Sequence, residues 1–307
     1  MAGTNNTVVL RPGALGDAVV TLPVLESLRG AEPAARVLAV GSPAFRLAAE
    51  CGQADEWAAF DDARLLGLFA EQGACELVAD AELCIVYGRG DPLLRANLER
   101  SGVARVVAWP AQPAGGRHVV DHLLGAVEEA GWRAGTRVPR LVAQATWLEA
   151  ATAWLAARGV RAEFAVVHPG SGGRAKRWAA EGFARVASRL PEPVVWVLGP
   201  AEAEDRALRT LGERVGVVAD GLPLAALAGL LASCRVYVGN DSGVSHLAAA
   251  VGAPTVAVFG PTDPAVWAPR GERVVVVGGP ERGGLDAVAA EEVLAAVGRA
   301  RALSPSP

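Results

Sequence analysis

Two rhythms of apolar and polar positions run along the chain. Short β-branched and aliphatic runs, TVVL (7–10), RVLAV (36–40), LCIVY (83–87) and RVVAW (105–109), alternate with stretches whose apolar residues recur at helical spacing. The span 16–29 is predicted helical, and HVVDHLLGAVEEAG (118–131) is a helix stopped by a glycine. Beyond TRVPRLVAQ (136–144) and a predicted helix TWLEAATAWLAARG (146–159), the pattern becomes more regular. The runs FAVVH, VVWVLG, RVGVV, VYVGN, TVAVFG and RVVVV lead to a last helix over 286–301 and a polar, proline-containing tail. Nearly continuous apolar strands with helices between them make parallel sheets covered on both faces. The expectation is an α/β chain with doubly wound domains over 1–140 and 145–285, and a C-terminal helix and tail over 286–307.

Doubly wound sheets hold ligands at the carboxyl ends of their strands, so the residues just after each run carry the chemistry. Four such places stand out. In RPGALGDAVVTLP (11–23) a strand enters a glycine turn and then a helix, as phosphate loops do, but the spacing is GxxG, not the dinucleotide GxGxxG. Asp17 at that helix start either satisfies free backbone N–H groups or serves as a general base, being ionised at neutral pH. In VVHPGSGGRAKRW (166–178) a glycine- and serine-rich loop brings Arg174, Lys176 and Arg177 together, a set suited to a diphosphate.

The third place, VYVGNDSGVSHLAAAVGAP (236–254), delivers Asp241, Ser242 and Gly243 onto a helix start with His246 in its first turn. There unpaired amides and the positive end of the helix dipole favour phosphate. A diphosphate would repel Asp241, so that residue is expected to cap the helix or bind a ribose hydroxyl. In VAVFGPTDPAVWAP (256–269), Thr262 can donate to a phosphate, while Asp263 and Pro264 read as a structural turn.

Composition narrows the partners. A net charge of −4 argues against a nucleic-acid partner. No apolar run reaches the ~18 residues of a membrane span and the start of the chain lacks a signal-peptide pattern, so a cytoplasmic location is expected. Cys51, Cys75, Cys84 and Cys234 lack metal or disulfide spacing and read as buried thiols. His118 and His122 lie four apart without a third ligand and read as helix surface. With no acidic DxD-type cluster after a strand, no metal site is expected. Lys176 is the only lysine among 29 cationic side chains, which singles it out as a place where arginine does not substitute.

Taken together, RPGALGDAVVTLP, HPGSGGRAKRW and NDSGVSHLAAAVGAPTVAVFGPTDP resemble, in order and spacing, glycosyltransferase family 9, the heptosyltransferases of lipopolysaccharide core assembly. The resemblance spans residues 11 to 269. It implies a GT-B fold: two Rossmann-like doubly wound domains facing a central cleft, the N-terminal one binding acceptor and the C-terminal one the donor. It also implies inverting transfer without metal or resident cofactor, from an ADP-activated heptose to a glycan or lipopolysaccharide-type acceptor. By position Asp17 is the implied catalytic base and Lys176 the donor-phosphate lysine. Gly16, Ser171, Glu202, Asp241, Ser242, Gly243, His246 and Thr262 complete the implied donor set, with Glu204 competing with Glu202 for the ribose. A lipid-linked acceptor would add peripheral contact with the inner face of the cytoplasmic membrane. The N-terminal half has no concentrated basic patch for an anionic acceptor. Three alternatives therefore stand: another nucleotide sugar with another acceptor, a non-catalytic nucleotide-sugar-binding relative, or a GT-B epimerase.

Overall fold

The computed structural model describes residues 6–161 and 163–303 and divides the chain into two units, Met1–Pro139 and Arg140–Pro307. The first unit runs β1 (Asn6–Arg11), α1 (Leu15–Ala31), β2 (Arg36–Gly41), α2 (Phe45–Glu50), β3 (Glu56–Ala59), β4 (Ala81–Tyr87), α3 (Pro92–Arg100), β5 (Arg105–Trp109) and α4 (Val119–Glu129). Its strands pair in the order β3-β2-β1-β4-β5, all parallel.

The second unit opens with α5 (Ala145–Ala156), β6 (Ala165–His168), α6 (Ala180–Ala187), β7 (Val194–Leu198), α7 (Arg206–Val215) and β8 (Val217–Asp220). It continues through α8 (Leu224–Ser233), β9 (Val236–Asn240), α9 (Gly243–Ala250), β10 (Thr255–Phe259), α10 (Pro264–Trp267), β11 (Val274–Gly278) and α11 (Ala290–Ala302). The parallel order there is β11-β10-β9-β6-β7-β8.

Each sheet winds outward from its first strand and then returns to that strand's other side, so each has one switch point, between β1 and β4 and between β6 and β9. Crevices form at the carboxyl ends of such strand pairs. The inner strands β6, β7, β9 and β10 are buried at every residue, whereas the edge strands β8 and β11 are only partly so, as expected when helices cover both faces of the middle. Trp178, Phe183, Trp196 and the strand valines form the second core, and α11 contributes Val293, Ala296 and Ala300 to it. The first core gathers Val8, Leu10, Val40, Val86 and Leu98. No helix among the described residues is long and apolar enough to cross a membrane.

The sequence reading departs from the structure at three elements. RVGVV is divided: Arg214 and Val215 finish α7, and the strand begins only at Val217. Gly216 makes the junction possible, since a Cβ there would lie 2.1 Å from the Val194 carbonyl oxygen. The four-residue edge strand β3, EWAA, has too little β-branched character to be seen in the pattern. At the end of the chain, residues 285–287 form a separate 3₁₀ turn and α11 starts at Ala290, four residues later than expected.

Candidate functional site

At the first switch point β1 ends on Arg11, only 2% exposed, and the turn Pro12-Gly13-Ala14 leads into α1 with Asp17 in its first turn. Glycine is required at position 13 twice over. Its φ is +140°, and a Cβ would sit 2.4 Å from Asp17 Oδ2. The Asp17 carboxylate accepts from the Ala14 amide (2.9 Å, Oδ2) and from Arg11 Nη2 (2.6 Å, Oδ1). Asp17 therefore does satisfy a free amide at the helix start, yet its side chain stays 30% exposed and open on its outer side. Beneath it the Arg11 guanidinium lies over the Tyr87 ring at 5.8 Å. Burial lowers the pKa of Arg11, and the neighbouring Asp17 charge opposes that shift. Gly16, half-buried in the same first turn, belongs to this unit, whereas the remaining donor candidates belong to the second.

At the second switch point the loops after β6, β9 and β10 converge on Asp241. Its carboxylate Oδ2 accepts from Lys176 Nζ at 2.7 Å and from Thr262 Oγ1 at 2.5 Å, and its backbone carbonyl accepts from Ser171 Oγ at 2.8 Å. The carboxylate is nearly buried (7%) and the Lys176 side chain is 36% exposed. Of the two roles expected of Asp241, a helix cap or a ribose contact, the structure removes the first: Asp241 does not cap α9. Ser242, one residue later, has the extended backbone and the spacing to accept from the Ser245 amide, and Asp241 is taken up by the ion pair. Gly243 begins the helix, and His246 is buried one turn in.

Three side chains hold these loops together. Asn240, fully buried, accepts from the Trp178 amide (2.9 Å) and donates to the Pro169 carbonyl (2.7 Å), tying the β6 loop to the end of β9. Arg177 donates twice to the Ser171 carbonyl and reaches Glu202 Oε1 at 2.8 Å. Glu202 is buried and accepts from the Gly199 amide. Gly170 lets that carboxylate approach, for a Cβ there would lie 2.5 Å from it. Glu204 is exposed, so the structure separates the two acidic candidates by burial. Under the same turn His168 donates from Nδ1 to the Val197 carbonyl (3.0 Å), and burial lowers its pKa.

Other expectations resolve simply. Asp263 accepts from the Ala265 amide and Pro264 opens α10, the structural turn anticipated. His122 is not helix surface: it is buried against Trp109 with Nε2 2.7 Å from the Pro110 carbonyl, while the His118 side chain caps α4. Cys75, Cys84 and Cys234 are buried, with burial pushing the Cys84 and Cys234 thiols up to about 12, and Cys51 is half-buried. Arg11 and Asn240 are the site residues to which sequence reasoning gave no role of their own, and Arg177, read as one of three cations for a diphosphate, is engaged by Ser171 and Glu202 instead.

Comparison with known proteins adds a second line of observation. Over 184 residues, 53% of this chain, it is 28% identical to lipopolysaccharide heptosyltransferase 3 of Escherichia coli, covering 50% of that protein. It is 36% identical over 107 residues to lipopolysaccharide heptosyltransferase 1 of Pseudomonas aeruginosa, covering 34% of this chain and 30% of the relative. The matched region thus spans half or less of these relatives' length. Among solved structures, a family 9 glycosyl transferase from Veillonella parvula aligns over 98% of both chains with a TM-score of 0.81 at 21% identity. The E. coli ADP-heptose lps heptosyltransferase II aligns over 97% of this chain and 98% of its own with a TM-score of 0.75 at 19% identity. The two Rossmann-like sheets and these likenesses make the fold GT-B. The model of glycosyltransferase family 9 (heptosyltransferase) matches residues 97–295, 199 of the 307 residues, and the chain belongs to that family.

Proposed function

We propose that this chain is an inverting, metal-independent glycosyltransferase that moves a heptose from ADP-heptose to a lipopolysaccharide-type acceptor. The observation that carries the reading is the convergence of Lys176, Thr262 and Ser171 on Asp241 beside the amino end of α9. This gathers an ammonium, hydroxyls and helix amides at one switch point. Such a set suits the two phosphates of a nucleoside diphosphate, with Lys176 and the amides at Ser242 and Gly243 taking the charge a divalent ion supplies elsewhere. Glu202, built into the turn, is assigned to the ribose side, and His246 lines the helix start.

In the first unit the open side of Asp17 suits a base. Asp17 removes the proton of an acceptor hydroxyl, whose oxygen attacks the anomeric carbon from the face opposite the diphosphate. The bond from that carbon to the phosphate oxygen breaks, and the configuration inverts. Lys176 and the α9 amides stabilise the departing diphosphate. The acceptor-binding role of the first unit and the donor-binding role of the second follow from this division of labour. The nucleotide sugar is a co-substrate, and the reading needs no resident cofactor. A lipid-linked acceptor would bring the chain to the inner membrane surface.

Calorimetric titration of the purified chain with ADP, UDP and GDP in the absence of divalent metal tests this. Selective binding of ADP is the expected result. Preference for UDP or GDP overturns the ADP-heptose assignment, and no binding of any of the three overturns the transferase.

A further inference from the structure

We propose that Arg11 is a positioning residue that holds the Asp17 carboxylate in the geometry of a working base, an inference that rests on the reading of Asp17 just given. Capping alone does not explain Arg11. The Ala14 amide already gives Asp17 its helix-start hydrogen bond, yet the chain also places a charged side chain at 2% exposure directly after the apolar residues Val8, Val9 and Leu10. Burying a guanidinium is unfavourable unless a partner compensates, and here the compensating contact is the 2.6 Å one from Nη2 to Asp17 Oδ1. The Arg11 Nε is buried with no hydrogen-bond partner, so the packing favours the Nη2 contact over satisfying the whole group.

The support beneath Arg11 is fixed as well. The guanidinium lies over the Tyr87 ring, whose hydroxyl donates to the Leu123 carbonyl at 2.8 Å. Within α1, Thr21 Oγ1 donates to the backbone carbonyl of Asp17 at 2.7 Å. Each carboxylate oxygen of Asp17 is thus gripped once from within, Oδ1 by Arg11 and Oδ2 by the Ala14 amide, leaving the outward lone pairs for an incoming hydroxyl. Arginine keeps its protons at any working pH, so Arg11 takes no part in the proton transfer. The hydroxyl proton goes to Asp17, and Arg11 acts only through it.

A double-variant cycle with ADP-heptose and a lipopolysaccharide-core acceptor tests this, using Arg11→Met, Asp17→Asn and the pair. The methionine covers the Tyr87 ring without the charge. Arg11→Met is expected to lower kcat about 10- to 100-fold with the donor KM unchanged. In the Asp17→Asn background it should cause no further loss, and Arg11→Lys should recover part of the rate. Multiplicative losses in the pair, or an unchanged kcat in Arg11→Met beside an inactive Asp17→Asn, overturn the inference alone. Full activity of Asp17→Asn, or an inactive parent chain, overturns the reading of the base and this inference with it. Should Arg11→Met fail to fold, Arg11→Lys takes its place in the cycle with the same criteria: a smaller loss confined to the Asp17 background supports the inference, and a multiplicative one overturns it.

Discussion

The two switch points are built with opposite layering. In the first unit the cation is inside and the carboxylate outside: Arg11 is 2% exposed and Asp17 30%. In the second the order is reversed, with Asp241 at 7% beneath Lys176 at 36%. The switch point therefore offers negative charge in one unit and positive charge in the other. A pair of opposite charges is locally neutral, so what it can do depends on which member faces outward and can exchange partners. An outward carboxylate can take a proton, and an outward ammonium can take a phosphate.

Substitutions that remove the outward member at each point should break the comparison most cleanly. Asp17→Ala is expected to lower kcat about 10²- to 10⁴-fold while leaving ADP affinity, measured by calorimetry, nearly unchanged. Parallel losses in both quantities would show that the first unit's carboxylate is not confined to the chemical step. Lys176→Met should do the reverse at the second point, weakening ADP binding by roughly 1.5–3 kcal/mol, the range of a hydrogen bond to a charged group. Undiminished affinity there would remove the outward ammonium from the phosphate site.

The smallest effect concerns His168, which the first switch point does not share. Burial lowers its pKa, Arg177 adds to that shift and Glu202 opposes it, so the folded chain holds the ring neutral. Unfolding then takes up a proton wherever the pH lies below the ordinary imidazole value of about 6.5 and above the lowered one. Stability is complete above the ordinary value and is lost as pH falls toward the folded value, by up to about 1.4 kcal/mol per pH unit. Thermal melts between pH 8 and pH 5 should show this decline, and His168→Gln should flatten it. An identical pH dependence in the variant would place the titrating group elsewhere.

The sheet order is not visible in a sequence, but the inner strands are, because burial on both faces leaves runs such as VYVGN and TVAVF almost wholly apolar. β3 and the first half of RVGVV are not legible for the converse reason: an edge strand needs little apolar character, and an Arg-Val pair can equally close a helix. The loops of the site were readable as motifs, and Lys176 stood out by composition. The direction of each side chain was not readable. Asp241 looked like a helix cap by local rules, and a lysine 65 positions away in sequence took it instead. Arg11 drew no reading of its own from the sequence. The one signal available was its place directly after the apolar run VVL.

The buried amide of Asn240 has one more consequence. By clamping the Pro169 carbonyl and the Trp178 amide, it fixes both ends of the glycine-rich segment that carries Ser171, Lys176 and Arg177. The conformational entropy of those loop ends is thus surrendered during folding and not on ligand arrival. Under the proposed reading, an anion reaching Lys176 meets a loop whose ends are already in place.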